Sequence, residues 1–386
     1  MTSNITVEKR KKPLRILIVA PSFDILGGQT VQAARLSERL RQEADLEIGF
    51  LPINPRLPGV LRKLQSIKYV RTLVTSLAYV ASLITTVRKY DIIHIFSASY
   101  FSFLLAPTPA ILIGKLYGKR LLLNYHSGEA EDHLQRWRRS AIPTIRLVDE
   151  VVVPSEYLVQ VFAEFGLAAK PIYNLIETEQ FHFRERRPLR PIFLSNRNFE
   201  RHYGVDRVLR AFGIIQQQLP EAQITIAGDG PERSALERLA RDLNLRNIEF
   251  TGRVKHDQIV DMYDSADVWL NGSEIDNQPL SILEAFACGL PIVTTDAGGI
   301  PFMVRHERTA LVVKRGDYEA LAAEAMRLLA EPALAKKIVN QGRAECRQYT
   351  WDAVRANWLA VYQTLSSPKI ELRRSAQGLN HEVTPK

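Results

Sequence analysis

The sequence has little sulfur and no metal-binding pattern. Its 386 residues include two cysteines, Cys288 and Cys346, far apart and outside any CxxC spacing, which excludes a disulfide framework and fits a reducing compartment. A long hydrophobic run is also missing. The most apolar later stretch, residues 73–87, lies between Arg71 and Arg88 and carries Thr75, Ser76 and Ser82, short of the ~20 apolar residues that span a bilayer. It reads as a helix buried in a domain or lying on a membrane rather than crossing one. The charged residues 8–15 run straight into an apolar segment with no long h-region or small-residue cleavage site, so no signal peptide is expected and the predicted location is cytoplasmic. There is no internal repeat, no low-complexity block and no recognised nucleic-acid-binding motif, so nucleic acid is not an expected partner.

What is present is a chain long enough for two domains of roughly 150–200 residues, with ample aliphatic content for two cores. The net charge of +9 is uneven: residues 1–180 hold 23 Lys and Arg against 16 Asp and Glu, whereas residues 181–386 hold 28 against 26. Basic groups cluster at 9–12, 62–71, 115–120 and 136–139. The first half therefore either meets an anionic partner, such as the inner face of a membrane, or presents a solvated basic surface.

Short apolar runs alternate with helical patterns from end to end, the signature of parallel sheets covered by helices. Strands are predicted at 15–20, 46–51, 92–96, 121–125, 150–153 and 171–173, and again at 192–195, 223–227, 248–250, 268–270, 292–294 and 311–313. This predicts an α/β fold of two Rossmann-like domains, residues 1–180 and 192–366. Residues 181–191 are the linker, in a stretch from Glu177 rich in Arg, Glu and Pro without an apolar period. The closing helix that begins at Trp351 is able to pack back on the first domain, and the polar tail 367–386 reads as disordered. Ligand sites in such sheets lie beyond the carboxyl ends of the strands, which places a ligand between the domains.

The most informative stretch is 271–295, NGSEIDNQPLSILEAFACGLPIVTT. Asp276 is followed eight positions later by Glu284, inside a helix pattern over 280–288 that Gly289 and Pro291 cut short. The start of that helix, Asn277, Gln278, Pro279, Leu280 and Ser281, offers backbone N–H groups to an oxygen-rich ligand. Glu284, one turn inside, has only acceptors when ionised and suits a sugar diol. In the first half, Leu26-Gly27-Gly28-Gln29-Thr30 leaves the first strand and opens a helix, a place where backbone can approach a diphosphate. His126 sits at a strand's carboxyl end, whereas His94 lies inside the strand DIIHIF and reads as structural. Arg197 follows the strand ending at Ser195, where a guanidinium can hold diphosphate oxygens.

These segments, together with IAGDGP at 226–231, FTGR at 250–253, AGGIP at 297–301 and the closing helix, resemble the retaining glycosyltransferases of family 4, which have the two-domain GT-B fold. The likeness covers nearly the whole second half. It implies sugar transfer from a nucleotide-diphosphate donor in the cleft between the domains, to a glycan or lipid-linked acceptor. It further implies that Glu284 binds the donor ribose, that Asp276 and the backbone from Asn277 to Leu280 hold the donor sugar, and that His126 lies beside that sugar. Gly27 and Gly28 match the family's N-terminal glycine loop, and Arg253 and Val254 count as donor-side residues. Asp276 stands where most members have Glu, and Glu274 is a rim residue. Where members carry a Lys five positions after the Arg, this chain has His202, then Tyr203 before Gly204. Arg201 supplies the second charge, His202 or Tyr203 bonds phosphate, or leaving-group stabilisation is weaker. No metal is expected, since no DxD or His-rich cluster adjoins the pocket. The alternatives are a sugar-nucleotide epimerase or phosphorylase on the same fold, and a catalytically silent homologue acting as a binding or scaffold subunit.

Overall fold

The computed structural model describes residues 12–23, 27–97, 99–254 and 258–367. The charged N-terminus to residue 11, Leu26 of the glycine loop and the tail from 368 lie outside them. Two six-stranded parallel sheets form the frame. The first contains β1 (Leu14–Ala20), β2 (Leu46–Pro52), β3 (Ile92–Phe96), β4 (Arg120–Asn124), β5 (Glu150–Val153) and β6 (Lys170–Pro171), in the order β2-β1-β3-β4-β5-β6. The second contains β7 (Ile192–Asn196), β8 (Gln223–Ala227), β9 (Ile248–Gly252), β10 (Val268–Leu270), β11 (Ile292–Thr295) and β12 (Leu311–Val313), in the order β12-β11-β10-β7-β8-β9.

These strands read as near-continuous apolar runs because parallel strands are covered on both faces. In β1, Leu17 and Val19 face one core while Ile16 and Ile18 face the other, the two-residue alternation of a strand. The second of these cores is completed from the far end of the chain. Val354, Trp358, Val361 and Tyr362 of the helix Trp351–Ser366 pack into it, and Tyr362 Oη bonds His94 Nδ1 at 2.8 Å inside β3. His94 thus anchors the closing helix to the first sheet.

Two segments differ from the sequence reading. β6 ends at Pro171, not at Tyr173: Ile172 still donates to Val153 O at 2.9 Å, but Asn174 N turns away to Gln278 Oε1 at 2.6 Å. The arginine-rich stretch after Phe181 is bound to the second domain rather than strung between the two. Arg186 donates to the carbonyls of Ala266, Cys288 and Tyr263 at 2.7, 2.7 and 2.8 Å, and Asp267 receives Arg184 and Arg190 at 2.7 and 2.8 Å.

In each sheet the strand order reverses at one point, between β1 and β3 and between β7 and β10. A crevice opens there because the flanking connections leave to opposite faces. The two crevices face each other.

Candidate active site

The cleft between the sheets encloses about 630 Å³ and is lined from both switch points: Gly27–Val31 and Ser97 after β1 and β3, His126–Glu129 after β4, Asn196–Asn198 after β7, and Ile275–Ser281 with Glu284 after β10. The structure brings together His126, Arg197, Asp276, Glu284, Gly27, Gly28, Val254, Asn277, Gln278, Pro279, Leu280 and Ser281.

Arg253 does not join them. Its side chain is 68% exposed and turned to Asp229 Oδ2 at 3.3 Å, so a carboxylate of the GDGP turn holds it at the surface. The turn itself shapes the site from behind: a Cβ on Gly228 would stand 2.0 Å from Arg197 O, so only glycine lets this turn pack against the segment carrying Arg197. Glu274 pairs with Arg207, outside the cleft.

Glu284 lies on the helix Leu280–Cys288, whose every residue from Ser281 onward is buried. A buried carboxylate needs partners, and one side chain from each domain supplies them. Tyr263 Oη donates to Glu284 Oε2 at 2.9 Å. Asn196 Nδ2 donates to Tyr263 Oη at 2.7 Å, and Trp269 Nε1 donates to Asn196 Oδ1 at 2.6 Å, so the chain of donors runs one way and ends on the carboxylate. From the other domain, Arg35 Nη2 stands 3.7 Å from Glu284 Oε1. Arg35, Tyr263 and Asn196 went unrecognised in the sequence. The one available signal was polar Gln32 and Arg35, three residues apart on the buried face of the helix Gly28–Arg41. Tyr263 carried none.

Asp276 and Arg197 are ion-paired across the pocket floor, both nearly buried. Arg197 also donates to Ser281 Oγ at 3.0 Å and lies over the Tyr203 ring, 4.3 Å from its centroid. This resolves part of the departure from the family pattern: Arg201 is exposed and outside the cleft, His202 and Tyr203 line it, and Tyr203 works as a platform beneath the guanidinium. Burial pushes the Tyr203 hydroxyl up to about 12, so it stays protonated.

The loop 276–279 is fixed from two sides. Gly299 N donates to Asp276 O at 3.0 Å, and Cβ atoms on Gly298 and Gly299 would fall 2.1 Å from the carbonyls of Asp276 and Asn277, which accounts for the AGG of the AGGIP motif. From the first domain, Ser155 Oγ donates to Asn277 Oδ1, and Asn174 Nδ2 to Gln278 O at 3.2 Å. The side chains of Asn277 and Gln278 therefore serve the domain contact. Fewer N–H groups remain at the helix opening than the sequence suggested: Asn277 N is taken by Asp276 Oδ1 at 3.0 Å, and Pro279 has none.

His126 stacks on Phe96 with centroids 5.3 Å apart, and its Nε2 bonds no described residue. Burial holds its imidazole down at about 3, so it is neutral at pH 7 and offers a dipole, not a charge. Among the described residues no cluster of three His, Cys, Asp or Glu side chains could hold a metal.

Comparison with known proteins agrees with this architecture. The model of Glycosyltransferase Family 4 matches residues 26–180 and that of Glycosyl transferases group 1 matches residues 177–345. The sulfoquinovosyl transferase SQD2 of Arabidopsis thaliana is 27% identical over 380 residues, covering 90% of this chain and 72% of that protein. A GDP-mannose-dependent mannosyltransferase of Mycolicibacterium smegmatis is 28% identical over 62% of this chain and 69% of its own length. Among solved structures, Anabaena Alr3699/HepE in complex with UDP and glucose superposes with a TM-score of 0.73 at 16% identity, covering 91% of this chain and 100% of that one. Sucrose-phosphate synthase from Thermosynechococcus elongatus gives 0.69 at 20% identity, over 91% and 99%. With both halves matched in chain order and the two facing sheets in place, the chain belongs to the family 4, group 1 glycosyltransferases of the GT-B fold.

Proposed function

We propose that the protein moves a sugar from a nucleotide-diphosphate donor to a glycan or lipid-linked acceptor, with retention at the anomeric carbon and without a divalent cation. The observation that carries the reading is the convergence of Glu284, Asp276 and Arg197 at the second sheet's switch point, in the cleft that the first sheet's switch point faces. Glu284, held by Tyr263, accepts from the ribose diol. Arg197 and the helix opening at Leu280 and Ser281 take the diphosphate charge as the leaving group departs. Asp276 accepts from a sugar hydroxyl, and neutral His126 packs beside the sugar. The anomeric C–O bond breaks with its electron pair going to the diphosphate. The acceptor oxygen then bonds the same face of the sugar and gives its proton to a diphosphate oxygen. HepE, of the same fold, was solved with UDP and with UDP-glucose. The basic first half favours work at the cytoplasmic face of an anionic membrane.

Incubation with a panel of nucleotide sugars tests this reading. Release of nucleoside diphosphate in the presence of EDTA, with an anomerically retained product by NMR, is expected. Loss of activity with EDTA and rescue by magnesium or manganese overturns the metal-free mechanism. Nucleotide binding without turnover, the free charges staying neutralised by the Asp276–Arg197 and Glu284–Arg35 pairs, would mark a silent homologue.

A further inference from the structure

The helix Lys68–Thr86 has one ridge in the core and another in solvent. Tyr79, Leu83 and Val87 are buried, and Tyr79 Oη donates to Ala106 O at 3.0 Å, so the helix is fastened to the first domain. Leu73 and Leu77, one turn apart, are each 63% exposed, and Ile84 continues the stripe. The helix Pro107–Leu116 packs alongside and adds Leu112 and Leu116, the latter 79% exposed. Five exposed apolar side chains thus sit on two helices packed against each other, and apolar surface gathered in this way marks an interaction site.

The segment that carries both helices is basic. Between Pro52 and Gly128 the chain has ten Lys and Arg and a single acid, Asp91, and that acid is taken by Arg15 at 2.8 Å. Arg62, Lys63, Arg71 and Lys89 are exposed and pair with no carboxylate among the described residues. A protein partner would have to match both leucine stripes and a basic border. A bilayer with anionic headgroups does so without specific shape, since acyl chains accept the leucines while phosphates meet the bases. The segment Tyr69–Lys89 is long and apolar enough to cross a membrane by length and composition, longer than the sequence reading allowed. Crossing would strip Tyr79, Leu83 and Val87 from the core.

We propose that this face, centred on Leu73, Leu77 and Leu116, lies in the headgroup layer of an anionic bilayer with the helix axis parallel to its plane. The inference builds on the proposed transfer at a membrane surface and gives it a location on the protein.

The test uses the full chain with vesicles of phosphatidylcholine containing about one third phosphatidylglycerol, and vesicles of phosphatidylcholine alone. Co-sedimentation with the anionic vesicles alone is expected, weakening in about 1 M salt where the Debye length falls to ~3 Å. Leu73→Glu combined with Leu77→Glu should lower partitioning about tenfold or more, with circular dichroism and donor-sugar hydrolysis unchanged. Because Cys288 and Cys346 are buried, Leu77→Cys can be labelled with an environment-sensitive dye. Its emission should shift to the blue on anionic vesicles. Sedimentation without that shift moves the contact to another face and overturns the proposal. So does a concentration-dependent dimer, abolished by the double substitution, with no vesicle binding. Absent vesicle binding with intact hydrolysis refutes the docking face alone, whereas absent hydrolysis with intact vesicle binding refutes the transferase reading alone.

Discussion

Glu284→Gln and Asp276→Asn should move nucleotide affinity in different directions, because the two acids have different partners in the free protein. At Glu284 the Tyr263 hydroxyl donates to Oε2 at 2.9 Å, nearer than its other acceptor, Ser281 O at 3.3 Å, while the tyrosine oxygen accepts from Asn196. In the glutamine variant the amide oxygen stays with Tyr263 as the nearer acceptor. The NH2 group then faces Arg35 and presents donors where the ribose diol needs an acceptor. One hydrogen bond to a charged group is worth about 1.5–3 kcal/mol, so affinity for the nucleoside diphosphate should fall about 10- to 150-fold. At Asp276 the carboxylate neutralises Arg197, and a diphosphate must compete with it. Asparagine removes that competition, so nucleoside diphosphate should bind as tightly as before or up to about tenfold more tightly. Turnover with the intact donor should fall, because the amide is a poorer acceptor for the sugar hydroxyl. Calorimetry with the nucleoside diphosphate, alongside steady-state rates with the sugar donor, measures both effects. If Asp276→Asn loses the nucleotide and Glu284→Gln keeps it, the division of labour between the acids is wrong.

Tyr263→Phe removes the donor to Glu284 and the acceptor of Asn196, so it should destabilise the fold by about 1–3 kcal/mol and weaken nucleotide binding less than Glu284→Gln. A lowered Tm with unchanged affinity would reduce Tyr263 to packing. Gly299→Ala drives a Cβ toward Asn277 O, 2.1 Å away; the loop must shift, and the donor KM should rise while the urea midpoint drops by the equivalent of about 1–3 kcal/mol. An unchanged KM would sink the view that this glycine sets the loop. Burial holds His94 and His126 down at about 3 and His133 at about 4, against about 6.5 in the unfolded chain. The unfolded state therefore binds more protons as pH falls. Stability is fully present above pH ~6.5 and is lost progressively toward pH ~3. Urea midpoints measured between those limits should show less loss in His126→Asn than in the wild type, and identical slopes would refute it.

The sequence by itself determined the twelve strands, and the donor-site residues it singled out, Arg253 apart, meet in the pocket. Apolar runs bounded by turns are a local signal, and strands covered on both faces carry it almost unbroken, whereas their ends follow tertiary partners, as where Asn174 leaves β6 for Gln278. Spacing alone placed Asp276 before, and Glu284 inside, a helix whose predicted span matches the observed Leu280–Cys288. Partnership was not legible, because it arises between segments far apart in the chain. Arg35 meets Glu284 only once the two sheets face each other, and Asn174 meets Gln278 for the same reason. Arg253 looked like a pocket residue by its place in a motif, but the nearest carboxylate, Asp229, took it to the surface. Residues 73–87 looked simply apolar. Which ridge of that helix is core and which is exposed depends on where the neighbouring helices lie, and only the tertiary structure decides that, since the hydrophobic effect acts on area removed from water and not on residue type.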